Sequence, residues 1–75
     1  MKTLDAAKAK ERVRVSSIEG SVRLLTRLSS IGLVPGSVLE VVRNDRSRPV
    51  LVYGRDTLLA VSRKDSERIE VEEVA

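Results

Sequence analysis

The chain has 75 residues, a net charge of +3 and 41% hydrophobic content, enough for one small domain around one small core. Phe and Trp are absent and Tyr53 is the only aromatic, so that core is aliphatic, built from Val, Leu, Ile and Ala. Without Cys or His, the chain is excluded from disulfide stapling, from thiolate or imidazole metal sites and from the commonest general base.

The first element is weak. Residues 3–10 are rich in Ala and Lys, and Thr3 or Asp5 can cap one or two helical turns. Leu4 is their only large apolar anchor, so residues 1–11 are expected to dock weakly on the single domain of residues 1–75. Val13 and Val15 then alternate with Arg12 and Arg14, the pattern of a half-buried strand. Residues 16–20 read as a connection, and Gly20 or Ser21 opens the main helix. Along it Leu24, Leu25, Leu28 and Ile31 gather on one face, with Arg23, Thr26, Arg27, Ser29 and Ser30 on the other.

The helix ends in the most informative stretch of the chain. Gly32 stands where a left-handed residue closes a helix, and Leu33 is placed to fold back onto the last turn. Pro35 and Gly36 fit the two central positions of a type II turn, Pro fixing φ and Gly supplying a positive φ. Backbone geometry alone explains Gly32, Pro35 and Gly36, so this signature is structural.

Strand signals follow closely. Residues 38–43 are rich in β-formers, 44–47 form a polar turn, and Pro49 precedes a strand over 50–53. Gly54, Arg55 and Asp56 reverse the chain into 57–61. Asp65 or Ser66 can start a single helical turn, and Ile69, Val71 and Val74 alternate with glutamates in a last strand. Five short strands with one amphipathic helix after the first predict a mainly β fold, a partly open SH3-like barrel. Its expected core holds Val15, Leu24, Leu28, Ile31, Leu39, Val41, Val50, Val52, Leu59, Ile69 and Val71.

Catalysis has no foothold. The hydroxyls of Ser16, Ser17, Ser29, Ser30 and Ser62 have no histidine to activate them, and Glu70, Glu72 and Glu73 look like the outer face of a strand. The four glycines are dispersed and none is followed by Gly-Lys-Ser/Thr, so no phosphate loop is present. Asp65, Glu67 and Glu70 can be imagined around a hard cation, but without dedicated loop spacing they read as solvated carboxylates. Neither a catalytic site, a metal site nor a cofactor is expected. A small nucleic-acid-binding barrel is disfavoured because a single tyrosine offers no stacking platform. Charge is uneven: residues 65–75 set five carboxylates against Arg68 alone, while basic residues dominate the rest. That polarity suits encounter with a charged partner. With no signal-peptide pattern and no long apolar stretch, a cytoplasmic location is expected.

The order of these signals resembles the FeoA family, small cytosolic proteins of bacterial ferrous iron uptake. The likeness runs from Val13 to Val74 and rests most on Arg27-Leu28 with Gly32-Leu33-Val34-Pro35-Gly36. Leu39, Val41, Pro49-Val50, Val52, Leu59-Ala60 and residues 66–71 extend it. Three departures stand out: Ala9-Lys10 where the family usually has a Pro-Gly turn, Val61-Ser62 in place of Leu-Arg, and Ser66 in place of alanine. The first and third are expected at surface or near-surface positions. The resemblance implies an SH3-like barrel and an accessory role on the cytosolic part of FeoB, the ferrous iron transporter, as a monomer or weak oligomer reaching the membrane only through that partner. It also implies a relation to the C-terminal barrel of metal-dependent repressors. A freestanding regulatory module acting on such a repressor is therefore the alternative. The family's transition-metal label finds no soft or imidazole ligand here. Candidate partner-binding side chains are Arg23, Arg27 and Val34 near the turn, with Arg46 and Arg48 at the rim.

Overall fold

A computed structural model describes residues 2–74. Six strands form one antiparallel sheet in the order β1-β6-β2-β3-β4-β5, and its two edge strands do not pair with each other. They are β1 (Lys2–Thr3), β2 (Arg12–Ile18), β3 (Val38–Arg43), β4 (Val50–Gly54), β5 (Thr57–Val61) and β6 (Ile69–Glu73). Helix α1 (Val22–Ser30) joins β2 to β3, and a single turn, α2 (Arg63–Ser66), joins β5 to β6. The expected mainly β, partly open SH3-like fold with an amphipathic helix is the fold observed, although the sheet has six strands rather than five and the helix follows the second strand, not the first.

Alternation places the core. Val13 and Val15 of β2, Leu39 and Val41 of β3, Val50 and Val52 of β4 and Ile69 and Val71 of β6 point inward and are buried. Register shifts at β2 between Val15 and Ser17, and at β3 between Val41 and Arg43, mark bulges that bend those strands. The bulge also carries β2 through residues 16–18, which the sequence reading assigned to a connection.

Helix α1 begins where Ser21 Oγ accepts the Leu24 N–H at 3.2 Å. It ends in a Schellman motif: Leu33 N–H donates to the Leu28 carbonyl at 2.9 Å and Gly32 N–H to that of Ser29 at 3.0 Å. Gly32 takes φ +90°, and Leu33 is buried with Leu28. Ser37 N–H donates to the Val34 carbonyl at 3.0 Å and Gly36 takes φ +95°, as a type II turn requires.

Two core assignments, Ile31 and Leu59, and one helix-face assignment, Leu25, change. Ile31 is 43% exposed, because the helix closes at Ser30 and Ile31, at φ −103° and ψ 11°, no longer follows helical spacing. Leu33 fills the core at this end of the helix instead. Leu25 is 38% exposed, since it sits about 100° around the helix from Leu24. Leu59 is half-buried and packs on the core rather than within it.

The N-terminal segment differs most from expectation. Lys2 and Thr3 pair with Val71 and Glu70 of β6 as a sixth strand, and residues Leu4–Ala6 form a 3-10 turn. Leu4 and Ala7 are core residues. Asn44 donates from Nδ2 to the carbonyls of Asp5 at 2.9 Å and Ala7 at 2.6 Å, and Arg63 donates to Asn44 Oδ1 and the Asp45 carbonyl. One large anchor suffices because backbone pairing and an amide bracket fix its position.

Residues 8–11 retain the turn for which the family uses Pro-Gly. Glu11 N–H donates to the Lys8 carbonyl at 3.1 Å, with Lys10 at φ +75°. A side chain in that region costs about 1–2 kcal/mol, part of which glycine returns as chain entropy. Lys10→Gly is expected to stabilise the fold by about 0.5–1 kcal/mol. Thermal melts should show a rise of a few degrees; an unchanged or lower midpoint would contradict this.

Glu11 secures the same segment. Lys2 Nζ donates to its Oε2 at 2.6 Å and Lys8 N–H to its Oε1 at 2.9 Å. These bonds, that from Lys2 foremost, hold the Glu11 carboxyl below its ordinary value of 4.5. The unfolded chain therefore takes up this proton first as pH falls. Stability is fully present above 4.5 and declines as pH drops through the depressed native value. Melting temperature across that acid window should fall less steeply for Glu11→Gln than for wild type; parallel profiles would remove Glu11 from the account.

Ser66, expected near the surface, is fully buried, its hydroxyl satisfied by donating to the Arg63 carbonyl at 2.8 Å. Ser62, in place of the family's arginine, caps α2 by accepting the Asp65 N–H at 3.1 Å. The helical turn therefore starts at Ser62, earlier than Asp65 or Ser66.

Candidate functional site

The two helices flank an open groove of about 650 Å³. Helix α1 contributes Arg23, Leu24 and Arg27, the segment around α2 contributes Ser62, Lys64 and Asp65, and Arg68 follows. The Schellman closure and the β5–α2–β6 connection set these walls. Leu24 and Leu28 hold one face of α1 in the core and so turn Arg23 and Arg27 outward.

Four cations surround one carboxylate in this groove. Arg27 donates to Asp65 Oδ2 at 2.7 Å, an ion pair that spans the two helices. Among the described residues, Arg23, Lys64 and Arg68 have no carboxylate within 4.0 Å, the other ion pairs being Lys2–Glu11, Arg14–Glu72 and Arg43–Asp45. All three are exposed. Uncompensated like charges around a concave surface raise its potential and draw in anionic groups.

Of the side chains proposed from sequence, the structure gathers Arg23 and Arg27 here and leaves the others elsewhere. Val34 is half-buried in the type II turn, its N–H donating to Ser37 Oγ at 3.2 Å. Arg46 and Arg48 are exposed in the loop between β3 and β4 and do not line the groove. Lys64 and Arg68 were missed. Their spacing of four residues repeats that of Arg23 and Arg27, but the strand reading of the C-terminal part drew attention to its glutamates.

Two of the three carboxylates considered for a hard cation are engaged separately, and the third, Glu67, is exposed. Asp65 pairs with Arg27, and Glu70 accepts a hydrogen bond from Ser17 Oγ. No cluster of three Asp, Glu, His or Cys side chains suited to a metal occurs among the described residues. Nor is any helix among them long and apolar enough to cross a membrane.

The family model for the FeoA domain matches residues 2–73. A comparison with curated proteins gives no match. Among solved structures, the solution structure of the FeoA protein from Chlorobium tepidum is 32% identical, with a TM-score of 0.87 over 97% of this chain and 70% of that one. The crystal structure of an iron uptake regulatory protein, FeoA, gives a TM-score of 0.87 at 20% identity, covering 97% of this chain and 96% of that one. ScaR with bound Zn2+ gives 0.87 at 23% identity over 99% of this chain, which spans 37% of that repressor. The two likenesses of lower identity concern the fold. The family match over nearly the whole sequence, supported by the more identical relative, establishes that the chain belongs to the FeoA family.

Proposed function

We propose that this protein is a non-enzymatic, cytoplasmic accessory of ferrous iron uptake that docks through the α1–α2 groove on the cytosolic part of a FeoB-type transporter. Family membership supports the link to iron transport. One observation carries the choice of face: Arg23, Lys64 and Arg68 converge on one groove without a carboxylate partner within 4.0 Å among the described residues. An acidic surface on the transporter would supply the missing charges. A transient adaptor of this kind works with a small interface, below roughly 1,200 Å², and gains association rate from charge.

Arg27 is a poor probe of the reading, because reversing it would leave Asp65 facing a second carboxylate. Arg23 and Arg68 are better, being exposed and free of ion pairs among the described residues. The double variant Arg23→Glu with Arg68→Glu is expected to weaken binding to the purified transporter about tenfold or more at low salt. Its circular dichroism and melting curve should stay those of wild type. Wild-type association should also slow as salt rises. Absence of wild-type binding would end the adaptor reading, whereas equal binding by both proteins would remove the groove from it.

The fold likeness to ScaR and to the manganese regulator SloR favours a second reading, a freestanding module acting on a metal-dependent repressor. Titration of the organism's own repressor with the same two proteins separates the readings. Retention of RNA or single-stranded DNA in the groove at physiological salt would instead favour a nucleic-acid role.

A further inference from the structure

The two edges of the sheet are guarded unequally. At one edge β1 is only two residues long. At the other β5 reads Thr-Leu-Leu-Ala-Val, and its ladder to β4 runs through five successive pairs without a register shift. β5 has no charged residue, no proline and no bulge, the devices that ordinarily stop an edge from pairing. Leu58 is 58% exposed and Ala60 is also exposed.

The hairpin fixes which backbone groups face outward. Arg55 and Asp56 both take positive φ, 53° and 59°, forming a two-residue type I′ connection. Such a turn closes on a hydrogen-bonded pair, here Gly54 with Thr57, and alternation makes Val52–Leu59 and Val50–Val61 the next ones. The N–H and C=O groups of Leu58 and Ala60 consequently point away from β4. Neither residue has a backbone partner elsewhere among the described residues.

We infer that β5 is a self-pairing edge, to which a second copy of this chain adds its own β5 antiparallel about a two-fold axis through Leu59. In that register Leu58 of one copy lies opposite Ala60 of the second copy. Each of the two equivalent pairs exchanges both of its free hydrogen bonds. The outward-facing side chains set a large residue beside a small one and extend the exposed Tyr53–Leu58 pair across the junction. This symmetry of free groups and side-chain size about Leu59 selects a second copy over an unrelated strand. So short an edge buries less than the roughly 1,200 Å² of a stable interface, which makes the dimer reversible and concentration-dependent.

Sedimentation of the full chain from micromolar to millimolar concentration tests this, together with amide hydrogen exchange read by NMR. Wild type is expected to pass from monomer to dimer, with exchange at the Leu58 and Ala60 amides slowing as concentration rises. Leu58→Lys places a charge on the edge, and Ala60→Pro removes an outward N–H that β4 does not use. Each should raise the dissociation constant about tenfold or more while preserving the monomer's circular dichroism, and either variant suffices if the other fails to fold. A chain that stays monomeric at millimolar concentration overturns the inference. So does a dimer indifferent to both substitutions, or protection of these amides only when the transporter's cytosolic part is added.

Discussion

Leu28→Ala is expected to destabilise the protein by about 2–5 kcal/mol, the usual range for truncating a buried leucine. Leu28 is 2% exposed, and its carbonyl accepts the Leu33 N–H that closes α1. Its side chain also packs in the core with Leu33, so the truncation opens a cavity beneath the helix cap. A core of this size rarely provides more than about 3–5 kcal/mol of net stability, so the variant should be largely unfolded near body temperature. Chemical denaturation followed by circular dichroism measures the loss directly. An unchanged midpoint would mean that α1 does not rest on the sheet through this face.

Leu4→Ala is expected to cost a similar amount, about 2–5 kcal/mol, although Leu4 lies three residues from the start of the sequence. Its side chain is fully buried, and β1 just before it pairs with β6. Asn44 and Arg63 bind the carbonyls of the same segment, so the anchor cannot move out of the core without breaking that bracket. The loss should appear in global melting and also in faster exchange at the β6 amides paired with β1. A melting curve equal to wild type, with faster exchange confined to residues 2–7, would restore the picture of a weakly docked N-terminus.

These two leucines differ in how readable they were. Leu28 lies on a helical face defined by spacing alone, and its cap is specified by Gly32 and Leu33 within a few residues. Leu4 has no periodic neighbours, and its burial depends on a strand pairing with β6 some 70 residues away, together with Asn44 and Arg63. Ile31 fell into the opposite trap. Extending the helical spacing by one position placed it in the core, but the cap that the same sequence encodes ends the helix at Ser30.

The groove shows the same division. Helical periodicity already turned Arg23 and Arg27 to the solvent side of α1. Lys64 and Arg68 became their neighbours only when the β5–α2–β6 connection folded against that helix. Arg46 and Arg48, close to a predicted turn and similar in charge, ended in a different loop.

By itself the sequence determined the aliphatic core, the strand alternation, the Schellman and type II turns, and the resemblance to the FeoA family. The alternation and the turns are set by residues within a few positions of one another, through side-chain period and φ preferences. The aliphatic core follows from composition and the resemblance from the order of these local signals. Tertiary structure alone decided the docking of the N-terminus, the burial of Ser66, the convergence of four cations and the open edge at β5. Those depend on which distant segments meet. Loop closure brings them together for a small entropic cost that leaves no local mark on the chain.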